Sequence, residues 1–166
     1  MSIKKKFVTR SGQPIDMDVV MESAKLRDRG FRGIGEFIYQ FSQLQYSIRH
    51  VLHVRLGLSE EYFDIVTGPY DFAILCNVTE KASIVKYPAK KVEIEKVFKE
   101  CRKLNDSRVI IAHGMWTDDM DGLSCRSFSR SSLQSQIHSF KQDELQRLLD
   151  KAQELMKRVM GFQGAK

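Results

Sequence analysis

Apolar residues return every three or four positions along most of this chain, the spacing that gathers them on one side of an α-helix. The clearest stripe (Ile34, Phe37, Ile38, Phe41, Leu44, Ile48, Val51, Leu52) predicts a long helix from about 34 to 58. Ser59-Glu60-Glu61 then opens a short helix, with a serine able to cap the first N–H groups and acids in the positive first turn. Thr67-Gly68-Pro69 breaks it, and Pro69 suits the first position of the next helix. That helix runs to about Val85 with Phe72, Leu75, Val78, Ala82 and Val85 inward, and Tyr87-Pro88 ends it. From Ala89 the pattern resumes through Val92, Ile94, Val97, Phe98, Cys101, Leu104, Ile111 and Ala112, and Gly114 reads as a left-handed cap. The last helix opens on the capping-box pattern Ser139-Phe140-Lys141-Gln142, carries Leu145, Leu148, Leu149, Ala152, Leu155, Met156 and Val159, and stops at Gly161.

Two segments lack this period. Residues 117–140 are rich in serine and glycine and alternate weakly through Leu123, Cys125 and Ser127, which predicts a β-hairpin or a long ordered loop. Residues 1–30 are charged and poorly periodic, with a short helix from about Asp16 to Leu26. They read as a partly flexible basic arm, or, through Lys4, Lys5 and Lys6, as an arm that grips phosphate. The expectation is a mainly all-α fold: an antiparallel bundle of four to five helices over residues 31–166, with a small β-hairpin or loop inserted before the last helix.

Composition narrows the function classes. A chain of 166 residues, 42% apolar and 29% charged, is one ordinary globular domain. Lysine and arginine number 27 against 21 acids, and the net charge of +6 is compatible with a polyanionic partner. No run of about 18 apolar residues exists and no apolar stretch follows Met1, so neither a membrane span nor secretion is expected, and a cytoplasmic location is. Cys76, Cys101 and Cys125 share no C-x-x-C spacing and read as reduced thiols rather than disulfides or zinc ligands. No Walker loop, dinucleotide-binding glycine fingerprint or Ser/His/Asp order is present, and no cofactor or metal is expected.

Arg108 and His113 stand out as candidate chemistry. Arg108 shares the face of Ile94, Cys101 and Leu104, and a guanidinium on a core-facing stripe needs an acid, a phosphate or a wet cleft. His113 lies five residues on, about 140° round the helix, so the two converge only where a cleft wraps the helix end, as when a second subunit packs there. It also falls in the last turn, where a helix end favours positive charge. An arginine and a histidine suit a phosphodiester: one stabilises charge on the non-bridging oxygens and the other moves protons. The structural alternative has Arg108 holding a buried carboxylate and His113 capping the helix over Trp116.

The Arg-x4-His spacing at the end of a late helix, continued as Ile111-Ala112-His113-Gly114-Met115-Trp116, resembles the HEPN superfamily (higher eukaryotes and prokaryotes nucleotide-binding domains). Phe41-Ser42-Gln43-Leu44-Gln45-Tyr46 in the long early helix is also similar to that group. The resemblance spans about residues 33–116 and, in outline, the last helix. It implies a metal-independent endoribonuclease, commonly of toxin–antitoxin, phage-defence or RNA-processing systems, in which a homodimer turns two such motifs into one cleft. It further implies RNA as substrate, an antitoxin or other protein as a partner, and no membrane. On this chain Arg108 would stabilise the phosphate and His113 would act as general acid or base during attack by the ribose 2′-hydroxyl, leaving a 2′,3′-cyclic phosphate. The same fold without catalysis would serve as a nucleotide- or protein-binding module. This chain has Val109 where the family often has Asn, Asp or His, and Gln43 or Gln45 where an acid often stands. Met115 replaces a tyrosine that some members carry as a modification target.

Other groups carry weaker patterns. Arg126 and Arg130, with Phe128 between them, would share one face of a strand and could grip RNA phosphate and a base. His50 and His53 lack a spaced third metal ligand, and Asp118, Asp119 and Asp121 lack the ligand alternation of an EF-hand.

Overall fold

In the computed structural model, which describes residues 16–119, 122–128, 135–140 and 142–163, the leading apolar stripe belongs to a helix longer than its periodicity predicts. Helix α1 (Met17–Leu56) starts where the Asp16 carboxylate accepts the N–H of Asp18 at 3.0 Å. It ends at Gly57, whose φ of 61° is the left-handed geometry that glycine adopts without Cβ strain. Residues 17–33, expected as a short helix and a solvated lead-in, are therefore one helix with the core segment. Weak helix formers such as Gly30 and Gly33 cost about 1 kcal/mol each but do not stop a helix whose other half is packed. Residues 1–15, including Lys4, Lys5 and Lys6, lie outside the described residues.

Helix α2 (Glu60–Thr67) folds back along α1: Arg49 donates to the Thr67 hydroxyl at 2.8 Å, and the His53 and Phe63 rings lie 4.9 Å apart. That return delivers α3 (Phe72–Lys86) to the middle of α1, with Phe72 at 4.6 Å from Phe41. At the far end the Arg55 guanidinium lies 4.7 Å over Tyr87, so α3 runs the same way as α1. After a 3-10 turn (Pro88–Lys90), α4 (Lys91–His113) runs back. A three-stranded antiparallel meander follows, β1 (Met115–Asp119), β2 (Gly122–Phe128) and β3 (Ser135–Phe140), before α5 (Gln142–Gly161). The fold is thus mainly α with a small sheet inserted before the last helix. Helix α4 opposes α3, as their short connection favours, and opposes α5 across the inserted sheet, whereas the α2 return makes α3 run the same way as α1.

The core is built from Phe37, Leu44 and Ile48 of α1, Leu75 of α3, Ile94 and Phe98 of α4, and Leu155 and Val159 of α5. The inward face of α3 differs from the one its hydrophobicity suggests. Val85 is 84% exposed, and the buried line is Phe72, Leu75, Cys76, Thr79, Glu80 and Ser83. Two of its polar residues have their hydrogen bonds met in place: the Thr79 hydroxyl donates to the Leu75 carbonyl at 2.7 Å, and Glu80 accepts from Arg102 at 2.8 Å, whereas the buried Ser83 hydroxyl has no partner among the described residues. On α4, Val92 and Ala112 likewise face water, while Ile94 to Ile111 pack as expected.

The expected β insertion is present and extends beyond a two-stranded hairpin to three antiparallel strands, with Leu123 and Cys125 buried beneath it. Ser139 pairs with Ser124 inside the sheet, so it does not cap α5 as the capping-box pattern suggests. Gly114 is not left-handed either, with φ at −77°. A Cβ there would lie 2.0 Å from the Cys125 Sγ, so this glycine admits the sheet rather than reversing the helix.

Helices α4 and α5 are joined by ions: Glu100 meets Lys151 and Arg158, and Glu154 meets the same two cations. The hydrogen bond from Lys151 holds the Glu100 carboxyl below its ordinary value, and Lys151 is raised in turn. A depressed carboxyl stabilises the fold above its unfolded pKa and loses that contribution as pH falls through the folded one. Glu100→Gln is therefore expected to cost about 1 kcal/mol at pH 7 and almost nothing near pH 2, measured by urea unfolding at both pH values. An equal cost at both would contradict the ionic origin.

Candidate functional site at the end of helix α4

The buried stripe of α4 passes through Ile94, Val97, Phe98, Cys101 and Leu104 and returns at Ile111. Arg108 occupies the position between the last two, four residues after Leu104 and three before Ile111, and is half-buried. Its guanidinium lies 5.7 Å over the ring of Phe41, a buried side chain wedged between Phe37 and Phe72. No carboxylate among the described residues lies within ion-pairing distance of it. The buried carboxylate is taken by Arg102 instead, through Glu80 at 2.8 Å with Asn77 as a second acceptor at 3.1 Å. The alternative in which Arg108 serves an internal acid is therefore not what the structure shows.

His113 is the last residue of α4 and is exposed. Trp116 does not pack beneath it as the capping alternative requires. Its indole N–H donates to the Ile111 carbonyl at 2.9 Å and its ring lies 5.4 Å from Phe140, which pins β1 to the helix end. His113 thus stands exposed at the corner between α4 and β1, on a different face from Arg108. Within one chain the two side chains point about 140° apart. Val109 is exposed beside them, Gln43 and Gln45 are half-buried on α1, and Met115 is exposed.

Arg126 is exposed on β2, in register with Met115 and Ile137, both 63% exposed. Arg130 and Asp121 lie outside the described residues, so of the proposed row Arg126 and Phe128 stand on β2, two residues apart, and Arg130 is outside. His50 bonds to Gln163 and His53 to the Leu58 carbonyl, so each imidazole has a local partner. Among the described residues no group of acids, histidines and cysteines could hold a metal ion, and no helix is long and apolar enough to cross a membrane. The three cysteines are buried and unpaired, and burial pushes the Cys101 thiol up to about 12.

Spacing gave no warning of two features. Arg102 with Glu80 is one. The other is a cleft of about 670 Å³ between α4, β3 and α5, lined by Ser107, His138, Phe140, Arg147 and Lys151 among others. At its edge the Ser127 hydroxyl lies 3.0 Å from the His138 Nε2, two residues joined only through the β2–β3 register. The Lys151 and Arg147 charges beside the cleft are each paired with acids. Compared with protein-family models, curated protein sequences and solved structures, the chain matches none.

Proposed function

We propose that this chain is a HEPN-like, metal-independent endoribonuclease that acts as a homodimer. One observation carries the reading: a half-buried guanidinium without a carboxylate, Arg108, sits within two turns of an exposed histidine at the open end of the same helix. A half-buried cation without a carboxylate partner is incompletely compensated, and an RNA phosphate is the anion that would relieve it. In the cleavage, Arg108 stabilises the charge on the non-bridging oxygens. His113 takes the proton of the ribose 2′-hydroxyl or returns one to the leaving 5′-oxygen, and the bond that forms closes a 2′,3′-cyclic phosphate. Because the two groups diverge in one chain, each cleft takes residues from two copies. Arg126, which is exposed, would hold backbone phosphate, and Lys4, Lys5, Lys6 and Arg130 would extend that grip. The setting is intracellular, with toxin–antitoxin or defence systems as the context and an antitoxin as a further partner.

His113→Ala is expected to lower cleavage of single-stranded RNA by about 10²-fold or more in excess chelator, with an unchanged melting temperature because the side chain is exposed. Arg108→Ala is expected to do the same. Cleavage that persists in both variants would place the activity elsewhere. The divergence of Arg108 and His113, with apolar Val109 between them, favours a second reading: a binding module that holds nucleotide or protein without cutting. Wild-type protein that binds RNA and cleaves none would establish it.

A further inference from the structure

The first part of α1 extends past the helix that packs beside it. Leu145, three residues into α5, lies against Gly33, 3.4 Å from where a Cβ would stand, so α5, which runs the same way as α1, begins about one turn earlier, near Gly30. Residues 17–29 lie beyond this point, and all but Ala24 are exposed. They form about 20 Å of helix, a length that is marginal in water without a packing partner.

This projection carries an apolar seam of its own. Met17, Met21, Ala24 and Phe31 recur at steps of four, three and seven, with Val20 beside them. Met17, Val20, Met21 and Phe31 are between 42% and 55% exposed. The seam is turned roughly 140° from the face that buries Phe37, Phe41 and Leu44, so it is not an extension of the core stripe. Asp28 interrupts it at the position seven after Met21, where a polar residue fixes register in coiled coils.

Charge selects the occupant. Asp18, Lys25 and Arg32 stand seven apart down one flank of the seam, and Asp16, Asp18 and Glu22 make the start of the segment acidic while Lys25, Arg29 and Arg32 make its end basic. A second copy laid antiparallel, with the two-fold axis near Lys25, sets Asp18 of each copy against Arg32 of the other. The two Lys25 side chains meet at the axis, each 3.7 Å from its own Glu22 carboxylate. A parallel pair would instead set Asp18 on Asp18 and Arg32 on Arg32.

We infer that the seam on residues 17–31 pairs with the same segment of a second copy as an antiparallel two-helix contact. The apolar seam supplies the affinity, and the flanking charges supply the orientation. This contact uses neither Arg108 nor His113 but shares with the RNA reading the expectation of a homodimer, so a monomeric wild type would overturn both, whereas the charge reversals below bear on this contact alone.

Sedimentation of the full chain tests it through charge reversal. Wild type is expected to be a dimer, and Asp18→Arg and Arg32→Asp should each weaken the dimer about tenfold or more, because symmetry sets like charges together twice. The double variant, and an equal mixture of the two single variants, should recover wild-type dimerisation, since both restore opposite charges at both contacts. Circular dichroism is expected to stay the same throughout, as both residues are exposed. A monomeric wild type, single variants that dimerise like wild type, or a double variant that stays dissociated would each overturn the proposal. Cleavage of RNA by any of these proteins has no bearing on the outcome.

Discussion

Arg102→Ala is expected to cost about 3 kcal/mol of folding stability, while Arg108→Ala, six residues further along the same helix, should change it by less than about 1 kcal/mol. The difference follows from what each guanidinium faces. Arg102 is 2.8 Å from a Glu80 carboxylate whose side chain is only 9% exposed, and its loss leaves that charge buried in the α3–α4 contact. Lys81 approaches the other Glu80 oxygen at 3.8 Å but is 74% exposed and compensates little. Because a third of the Arg102 side chain is itself in water, the expected cost sits at the lower end of the range for a broken buried pair. Removing Arg108 forfeits a contact with the Phe41 ring but also removes a half-buried charge with no carboxylate, and the two effects offset. Urea unfolding of the two variants measures the contrast. Equal losses would mean that Arg108 too is a structural arginine.

Gly114→Ala is expected to destabilise the chain by about 3 kcal/mol, a large effect for one methyl group. The added carbon would lie 2.0 Å from the Cys125 Sγ and 2.7 Å from the Ile110 carbonyl oxygen, and the second of these is helix backbone. Cys125 cannot yield easily, because it is wholly buried under the sheet and its thiol donates to that same Ile110 carbonyl at 3.4 Å. The strain therefore passes to β2, and through the β1–β2 register to Trp116. Combining Gly114→Ala with Cys125→Ala should recover part of the loss, a coupling that a double-mutant cycle reads directly. Additive losses would mean that the two residues do not press on each other. The same glycine thus fixes the corner on which His113 stands, which links the stability of the sheet to the placement of the site.

Much of the helical framework was legible because long stripes such as Phe37 to Leu52 and Ile94 to Leu104 keep one period over several turns. The misreadings cluster where hydrophobicity and burial part company. Val85 and Val92 are apolar yet exposed, while Thr79, Glu80 and Ser83 are polar yet buried. A hydroxyl that bonds the carbonyl one turn back, as in Thr79, or a carboxylate met by a distant arginine, as in Glu80, carries no mark in the spacing. The joining of residues 17–30 to the long helix escaped notice because three glycines and a run of charges look like a break. The chain registers no break when the residues beyond are packed.

The placement of the candidate residues was legible in part. Arg108 does sit on the core-facing stripe of α4, and its separation from His113 follows from helix geometry alone. Which arginine takes the buried acid could not be read from sequence, since both lie on the same helix and the choice depends on where α3 places Glu80. The sheet was foreseen only as an alternation through Leu123 and Cys125, because its third strand, Ser135 to Phe140, is short and mostly polar.

The central claim is that the end of α4 breaks RNA by attack of its own 2′-hydroxyl without a metal ion. Its most direct test is the chemistry of the ends left when the full chain is incubated with single-stranded RNA in excess chelator. The account predicts 2′,3′-cyclic phosphates and 5′-hydroxyls. Intact RNA, or fragments ending in 3′-hydroxyls and 5′-phosphates, would contradict it.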